Sequence, residues 1–282
     1  MRLNYRKLGQ GKPLFILHGL FGLSDNWATV GKMLAEHFEV YLIDLRNHGS
    51  SPHSDEWTYS VIANDVLELM NDLHIDKSTN QQILLGHSLG GKVAMQFASM
   101  YPEKLEKLIV VDMAPKDYPG NHPDSYRDGF IEKLLTLNLA EMKSRKEVEA
   151  ELKKIINDNA TIQLLLKNIH WTALPAPLRH HPQSLSEGEG RNSQILEWKF
   201  NLKVIAKNQD KIGETFSIKN KIDTPTLFIR GEKSNYILYS DITEIKKIFP
   251  NSEFKTIEDA GHWVHADKPE EFAKTIIQLA NS

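Results

Sequence analysis

The sequence predicts an α/β fold: a mostly parallel sheet flanked by helices, with a helical cap inserted over it. Three observations predict it. Short apolar runs alternate with helix-period stripes as far as Asp112. The alternation then gives way to helical patterns alone from about Lys116 to Ile222, and resumes at Thr226. Finally, the glycine-bearing polar stretches stand just past the C-terminal ends of predicted strands, where open parallel sheets keep their sites.

Taken in order, Leu3 to Leu8 alternates loosely and stops at Gly9, as an antiparallel edge strand does. Pro13 to Leu17 is a continuous apolar run suited to burial on both faces. His18-Gly19-Leu20-Phe21-Gly22 follows, and Asp25-Asn26-Trp27 leads into a helix through about His37. Val40 to Ile43 is the next strand, ending at Asp44, and Tyr59 to about Leu73 carries a helical stripe. Ile83 to Leu85 precedes Gly86-His87-Ser88-Leu89-Gly90, a helix runs to Tyr101-Pro102, and Leu108 to Asp112 is a further strand.

Between Lys116 and Ile222 the patterns predict helices over Phe130–Leu137, Lys146–Ile156, Ala160–Ile169 and Gln194–Ala206, with no buried strand among them. Trp171 to Asn192 holds three prolines, two glycines and His180-His181, and reads as an extra loop. The sheet resumes with Thr226 to Ile229 and closes with Glu253 to Ile257, a helix over Asp241–Phe249 lying between them. Pro269 to about Ala280 is the closing helix, with proline in its first turn. The domain reading is therefore a core of residues 1–115 and 223–282 and a cap of 116–222.

Strand, tight turn bearing serine, then helix is the setting that gives G-x-S-x-G its chemical meaning. Glycine two residues either side lets the turn close without a β-carbon, and the helix N-terminus behind Ser88 favours developing negative charge. Ser88 is the predicted nucleophile. A serine hydroxyl needs a base, and the base needs an orienting group. Of twelve histidines, His262 stands in a Gly-His turn after the last strand and is the predicted base, with His265 its rival. Two oxyanion donors are required: Leu89 N–H supplies one, and Leu20 N–H, or next Phe21 N–H, the other.

Composition limits the alternatives. The 282 residues are 40% hydrophobic and 25% charged, ordinary for a globular protein with a sizeable core. A formal charge of −3 without a basic cluster argues against nucleic acid as a partner. The absence of cysteine removes disulfides, thiolate metal sites and a thiol nucleophile together. The histidine doublet lacks a third ligand at metal spacing, so no metal is expected there. No signal-peptide pattern and no membrane-length apolar run is present, which makes a cytoplasmic protein the default.

Leu17-His18-Gly19-Leu20-Phe21-Gly22, Gly86-His87-Ser88-Leu89-Gly90-Gly91-Lys92 and Gly261-His262-Trp263-Val264-His265-Ala266 together resemble the α/β-hydrolase superfamily. More narrowly they resemble its small bacterial and mitochondrial carboxylesterase/thioesterase branch, over nearly the whole chain outside the 171–192 loop. The resemblance implies an eight-stranded sheet, cofactor-free ester hydrolysis and a cap that selects substrate. Asn47 stands where many members carry glycine. Much of the superfamily places the acid after the penultimate strand in a G-x-x-D pattern, but here Gly231-Glu232-Lys233-Ser234 ends in serine. Asp112, at the end of the strand after the elbow helix, matches the place an alternative lineage uses. Asp112 is the predicted acid and Glu232 the alternative.

The expected activity is a serine hydrolase cleaving carboxylic esters or acyl thioesters through an acyl-enzyme. Fold and triad do not fix chemistry, so a lyase or carbon–carbon hydrolase, or a ligand receptor that retains the triad, stands beside it. A lyase of this kind would use a cationic pocket, for which Arg127, Lys143, Arg145 and Arg179 are the candidates. The partner is then a small-molecule acyl ester or thioester.

Overall fold

The computed structural model describes residues 1–73, 82–118, 129–173, 194–214 and 220–280. In chain order the elements are β1 (Tyr5–Leu8), β2 (Lys12–Leu17), α1 (Ala28–Leu34), β3 (Phe38–Ile43), α2 (Tyr59–Asp72), β4 (Ile83–His87), α3 (Leu89–Met100) and β5 (Lys107–Val111). Then come α4 (Phe130–Leu135), α5 (Arg145–Ile155), α6 (Asn159–Lys167), β6 (Ile169–Ala173), β7 (Gln194–Trp198), α7 (Leu202–Lys207) and α8 (Gln209–Gly213). The chain finishes with β8 (Thr226–Gly231), α9 (Ile242–Ile248), β9 (Ser252–Ile257), α10 (Val264–Asp267) and α11 (Pro269–Ala280).

The main sheet has the order β1-β3-β2-β4-β5-β8-β9, parallel except for β1. It has seven strands among the described residues, not the eight that the resemblance implies. Asn4 gives its carbonyl to Asp44 N–H, and no ladder extends beyond β1, which is the edge. Arg6 and Lys7 on that edge suit a strand that must not recruit another chain.

The continuous apolar runs bury on both faces. Leu14 and Ile16 of β2 face α1 and α11, packing with Trp27 and Phe272, whereas Phe15 and Leu17 belong to the larger cluster with α2, α3 and the cap. The two faces are thus separated by the period of two along each strand. Caps begin the helices as their sequences suggest: Thr58 accepts from Val61 N–H, and Asp158 from Ala160 and Thr161 N–H. Ser144 accepts from Glu147 N–H while the Glu147 carboxylate accepts from Lys143 N–H.

Between β5 and β8 the structure departs from the helical expectation. Gln194–Trp198 is a strand, paired antiparallel with Ile169–Ala173, and helix begins only at Leu202 behind the Asn201 side-chain cap. The spacing of Ile195, Trp198, Leu202 and Ile205 suits a helix stripe. The partner strand lies across a long connection, so pairing overrode the local pattern. Trp171 belongs to β6, and residues 174–192 of the predicted loop lie outside the described residues.

The insert is tied back to the core near its end. Tyr59 Oη donates to Ile212 C=O at 2.6 Å, and Lys92 Nζ donates to Gly213 and Glu214 C=O at 2.7 and 2.5 Å. Lys92 lies over the rings of Tyr59 and Tyr118, and burial lowers its amine to about 8. Asn47 explains its own presence: at φ +64° it adopts the left-handed backbone that asparagine tolerates best after glycine. Its carbonyl then accepts from Asn201 N–H at 2.8 Å, joining the loop after β3 to α7.

Candidate active site

Ser88 sits between β4 and α3 with φ +53° and ψ −118°, a conformation that L-residues rarely hold. Close packing enforces it. A β-carbon on Gly86 would overlap the Gly90 carbonyl, and one on Gly90 would meet the Leu17 and His18 carbonyls. Ser88 N–H donates to Val111 C=O at 3.1 Å, so the elbow is anchored to the end of β5. Ser88 C=O accepts from Lys92 N–H, which starts α3 directly behind the serine.

Asp112 is the next residue after Val111. It too has a positive φ, +50°, and is wholly buried. His262 Nδ1–H donates to Asp112 Oδ2 at 2.7 Å. The same oxygen accepts from the Ser234 hydroxyl, and Oδ1 accepts from Gly231 N–H at 3.3 Å. Burial pushes the Asp112 carboxyl up to about 7, against the pull of these two donors and the nearby Arg230 charge. His262 is fixed from three sides besides: its ring stacks on Tyr236 with centroids 3.8 Å apart, its carbonyl accepts from His87 Nε2–H at 2.9 Å, and the His87 ring lies 4.7 Å away. With Nδ1–H committed to Asp112, Nε2 is the basic nitrogen of the neutral ring.

Leu20 lies in the turn after β2. Gly19 brings this turn against the elbow, since a β-carbon there would stand 3.2 Å from Ser88 Cβ and 3.1 Å from His87 Nδ1. Phe21 N–H donates to His48 Nε2 at 3.3 Å, so it is already committed. Among the described residues the N–H groups of Leu20 and Leu89 make no hydrogen bond within the chain. Below the turn, His18 donates through Nδ1–H to Gly19 C=O and accepts from Leu45 N–H at Nε2. Burial lowers both His18 and His48, His48 to about 3, with Asp44 opposing the shift at His18.

The alternatives separate clearly in space. The exposed Glu232 carboxylate accepts from Asp259 N–H at 2.9 Å and makes no bond to His262. His265 stacks on Trp27 at 3.8 Å inside the core and stays neutral through burial. Lys143 and Arg145 are exposed, Arg145 donating to Ile169 C=O, so these two build no cationic pocket. Arg127, Arg179 and the His180-His181 doublet lie outside the described residues.

Two neighbours of the His262–Asp112 pair escaped sequence reasoning. Ser234 was visible as the residue in the acid's usual place, and its hydroxyl binds Asp112, just past β5. Tyr236 carried no local signal. Its position depends on Tyr118, whose hydroxyl accepts from Ala114 N–H and donates to Tyr236 C=O at 2.7 Å. The arrangement sets a strained serine at a helix start, two N–H groups without a partner among the described residues, and a histidine oriented by a buried aspartate.

A family model described as alpha/beta hydrolase fold matches residues 12–147 and 184–269. A putative esterase/lipase of Haemophilus influenzae is 34% identical over 95% of this chain and 83% of its own. The zebrafish (Danio rerio) sn-1-specific diacylglycerol lipase ABHD11 is 35% identical over 95% of this chain and 78% of its own. Among solved structures, a marine microorganism esterase is 36% identical, covers 99% of both chains and superposes with a TM-score of 0.83.

Proposed function

Since the chain belongs to the α/β-hydrolase family, we propose that Ser88, His262 and Asp112 are its catalytic triad and that Leu20 and Leu89 form its oxyanion hole. The chain is a serine ester hydrolase, as relatives named esterase or lipase across nearly its whole length indicate. The single observation that carries the assignment of residues is the 2.7 Å bond from His262 Nδ1 to a buried aspartate that directly follows the residue holding Ser88 N–H.

In the proposed reaction, Ser88 Oγ attacks the acyl carbonyl while His262 Nε2 takes its proton. The carbonyl oxygen becomes an oxyanion between the Leu20 and Leu89 N–H groups, with the α3 N-terminus behind it. Asp112 stabilises the imidazolium without itself being protonated. The alcohol or thiol departs with the proton from His262, leaving acyl-Ser88. Water then repeats the sequence and releases the carboxylic acid.

The preferred class is a small-molecule carboxylic ester, with acyl thioesters open to the same chemistry. Residues 116–222 act as a cap over the elbow, a reading supported by the packing of Phe130 and Phe200 on Phe21. No helix among the described residues is long and apolar enough to cross a membrane.

The test joins a fluorophosphonate label to turnover of a p-nitrophenyl acyl series. The wild type is expected to label once, on Ser88, and to turn over the esters. Ser88→Ala is expected to lose labelling and all but a residual rate of order 10³ over water. Labelling of the variant, or undiminished turnover, overturns the assignment.

A further inference from the structure

The turn that carries Leu20 is gripped from both sides. From the core, His48 Nε2 accepts from Phe21 N–H. From the inserted segment, Asn168 Nδ2 donates to Phe21 C=O at 2.7 Å. Phe21 holds φ +56°, a left-handed backbone that an aromatic residue keeps only where its surroundings over-determine it. Its ring supplies the rest of the constraint, lying 4.8 Å from Phe200 and 5.9 Å from Phe130, both in the insert.

Asn168 is itself held with little freedom. It closes α6, is wholly buried, and gives its second amide hydrogen to Leu164 C=O at 3.0 Å. Its own carbonyl accepts from Lys199 N–H at 2.7 Å, just past β7. Oδ1 has no hydrogen-bond partner among the described residues. Turning the amide over would set Oδ1 against two carbonyl oxygens, so only the observed orientation is tenable. A buried unpaired oxygen is costly, and here it accompanies a donor aimed at one particular carbonyl.

We propose that Asn168 is a positioning residue for ester hydrolysis: from the cap it holds the Phe21 carbonyl, and so keeps the neighbouring Leu20 N–H aimed at the oxyanion. The inference rests on the serine-hydrolase reading above. Leu20 C=O and Phe21 N–H form one peptide and Phe21 C=O begins the next. That next peptide also carries Gly22 N–H, which donates to Gly19 C=O at 2.9 Å, and Gly19 C=O shares its peptide with Leu20 N–H, so the hold on Phe21 C=O reaches the donor. The oxyanion donor is thereby tied to the inserted segment as well as to the core.

The experiment compares wild type with Asn168→Ala and the nearly isosteric Asn168→Asp. The aspartate variant places an oxygen against Phe21 C=O at little change in volume, so it reports even where the alanine variant does not fold. Four quantities are read: kcat, KM, the affinity for a trifluoromethyl ketone that forms a tetrahedral adduct on serine, and the affinity for the matching ketone-free amide. Loss of a whole oxyanion donor costs about 10²–10³ in kcat, and misaiming one is expected to cost about 10–100-fold. KM and amide affinity are expected to move less than about threefold, and trifluoromethyl ketone affinity to fall in step with kcat.

If kcat stays within twofold in a variant whose Ser88 still labels, Asn168 does not position the hole. A fall in kcat with unchanged trifluoromethyl ketone affinity also overturns the proposal, leaving Asn168 a packing residue. Wild-type protein that fails to label at Ser88 would overturn the underlying reading instead.

Discussion

Asp44 and Asp112 stand in matching places, each just past a parallel strand and each almost completely buried. Their environments drive them in opposite directions. Asp44 accepts from Ser24 N–H at 2.6 Å, Ser50 N–H at 2.9 Å and Asn4 Nδ2 at 2.8 Å, beside the His18 ring. Burial alone would raise its carboxyl, yet His18 and these donors hold it below the usual range. Besides the His262 ring, Asp112 has one hydroxyl and one long backbone donor, and burial carries it up to about 7. The difference teaches that the charges and fixed donors around a buried carboxylate, and not depth alone, decide which way its proton affinity moves. Asp44 staples the loops after β2 and β3, whereas Asp112 keeps an oxygen for His262.

The pH dependence of stability follows with opposite signs. Asp44 binds its proton less tightly when folded, so its contribution is present above about pH 4 and is lost as pH falls through its lowered value. Asp112 binds its proton more tightly when folded. Its contribution is full below about 3.8 and declines as pH rises towards 7.

The largest effect is expected for Asp112→Asn. It should lower kcat by about 10⁴, or roughly 5.4 kcal/mol of barrier, because the amide favours the wrong His262 tautomer. Thermal melting at pH 7 should be unchanged or higher, since an amide is easier to bury than a carboxylate; a loss under tenfold in kcat would break the contrast. Next comes Asp44→Asn, expected to cost about 2–4 kcal/mol in urea unfolding through unpaired buried groups. The folded variant should keep kcat within about tenfold, and its stability should vary less below pH 4 than the wild type's. A catalytic loss as deep as that of Asp112→Asn would make the two aspartates equivalent.

A smaller and more specific effect is expected for Ser234→Ala. The Ser234 hydroxyl favours ionised Asp112, so removing it should move the acid limb of kcat/KM upward by about one pH unit. Rates well above that limb should approach the wild type's, and a downward shift would contradict the role given to the hydroxyl. Smallest is Glu232→Gln, expected to change stability by less than about 0.5 kcal/mol and turnover not at all. A crippled Glu232→Gln beside an active Asp112→Asn would exchange their roles.

What the sequence disclosed was whatever short spacing encodes. The elbow needs glycine within two residues of Ser88, and the parallel strands need uninterrupted apolar runs, so both were legible. The β6–β7 pair was not, because a strand of mixed pattern is defined by a partner far along the chain. Ser234 could be seen as a departure from a pattern, but its bond to Asp112 joins two strand ends that only the sheet order brings together. Asn168 gave no signal: an asparagine closing a helix is ordinary until the loop beneath it is known.

The ladder between β5 and β8 pairs Leu108 with Thr226, residues 118 positions apart (226 − 108). A ribosome therefore delivers the first five strands and the whole insert before β8 exists to cover β5. Throughout that interval Leu108 to Val111, all fully buried in the finished molecule, border an open strand edge. Contacts of such long separation close late and slowly. The residues of the candidate site divide along the same line, with Ser88 and Asp112 made early and Ser234 and His262 late. On the proposed assignment a nascent chain carries Ser88 without His262 until the last strand has been made, so hydrolysis waits for the completed sheet.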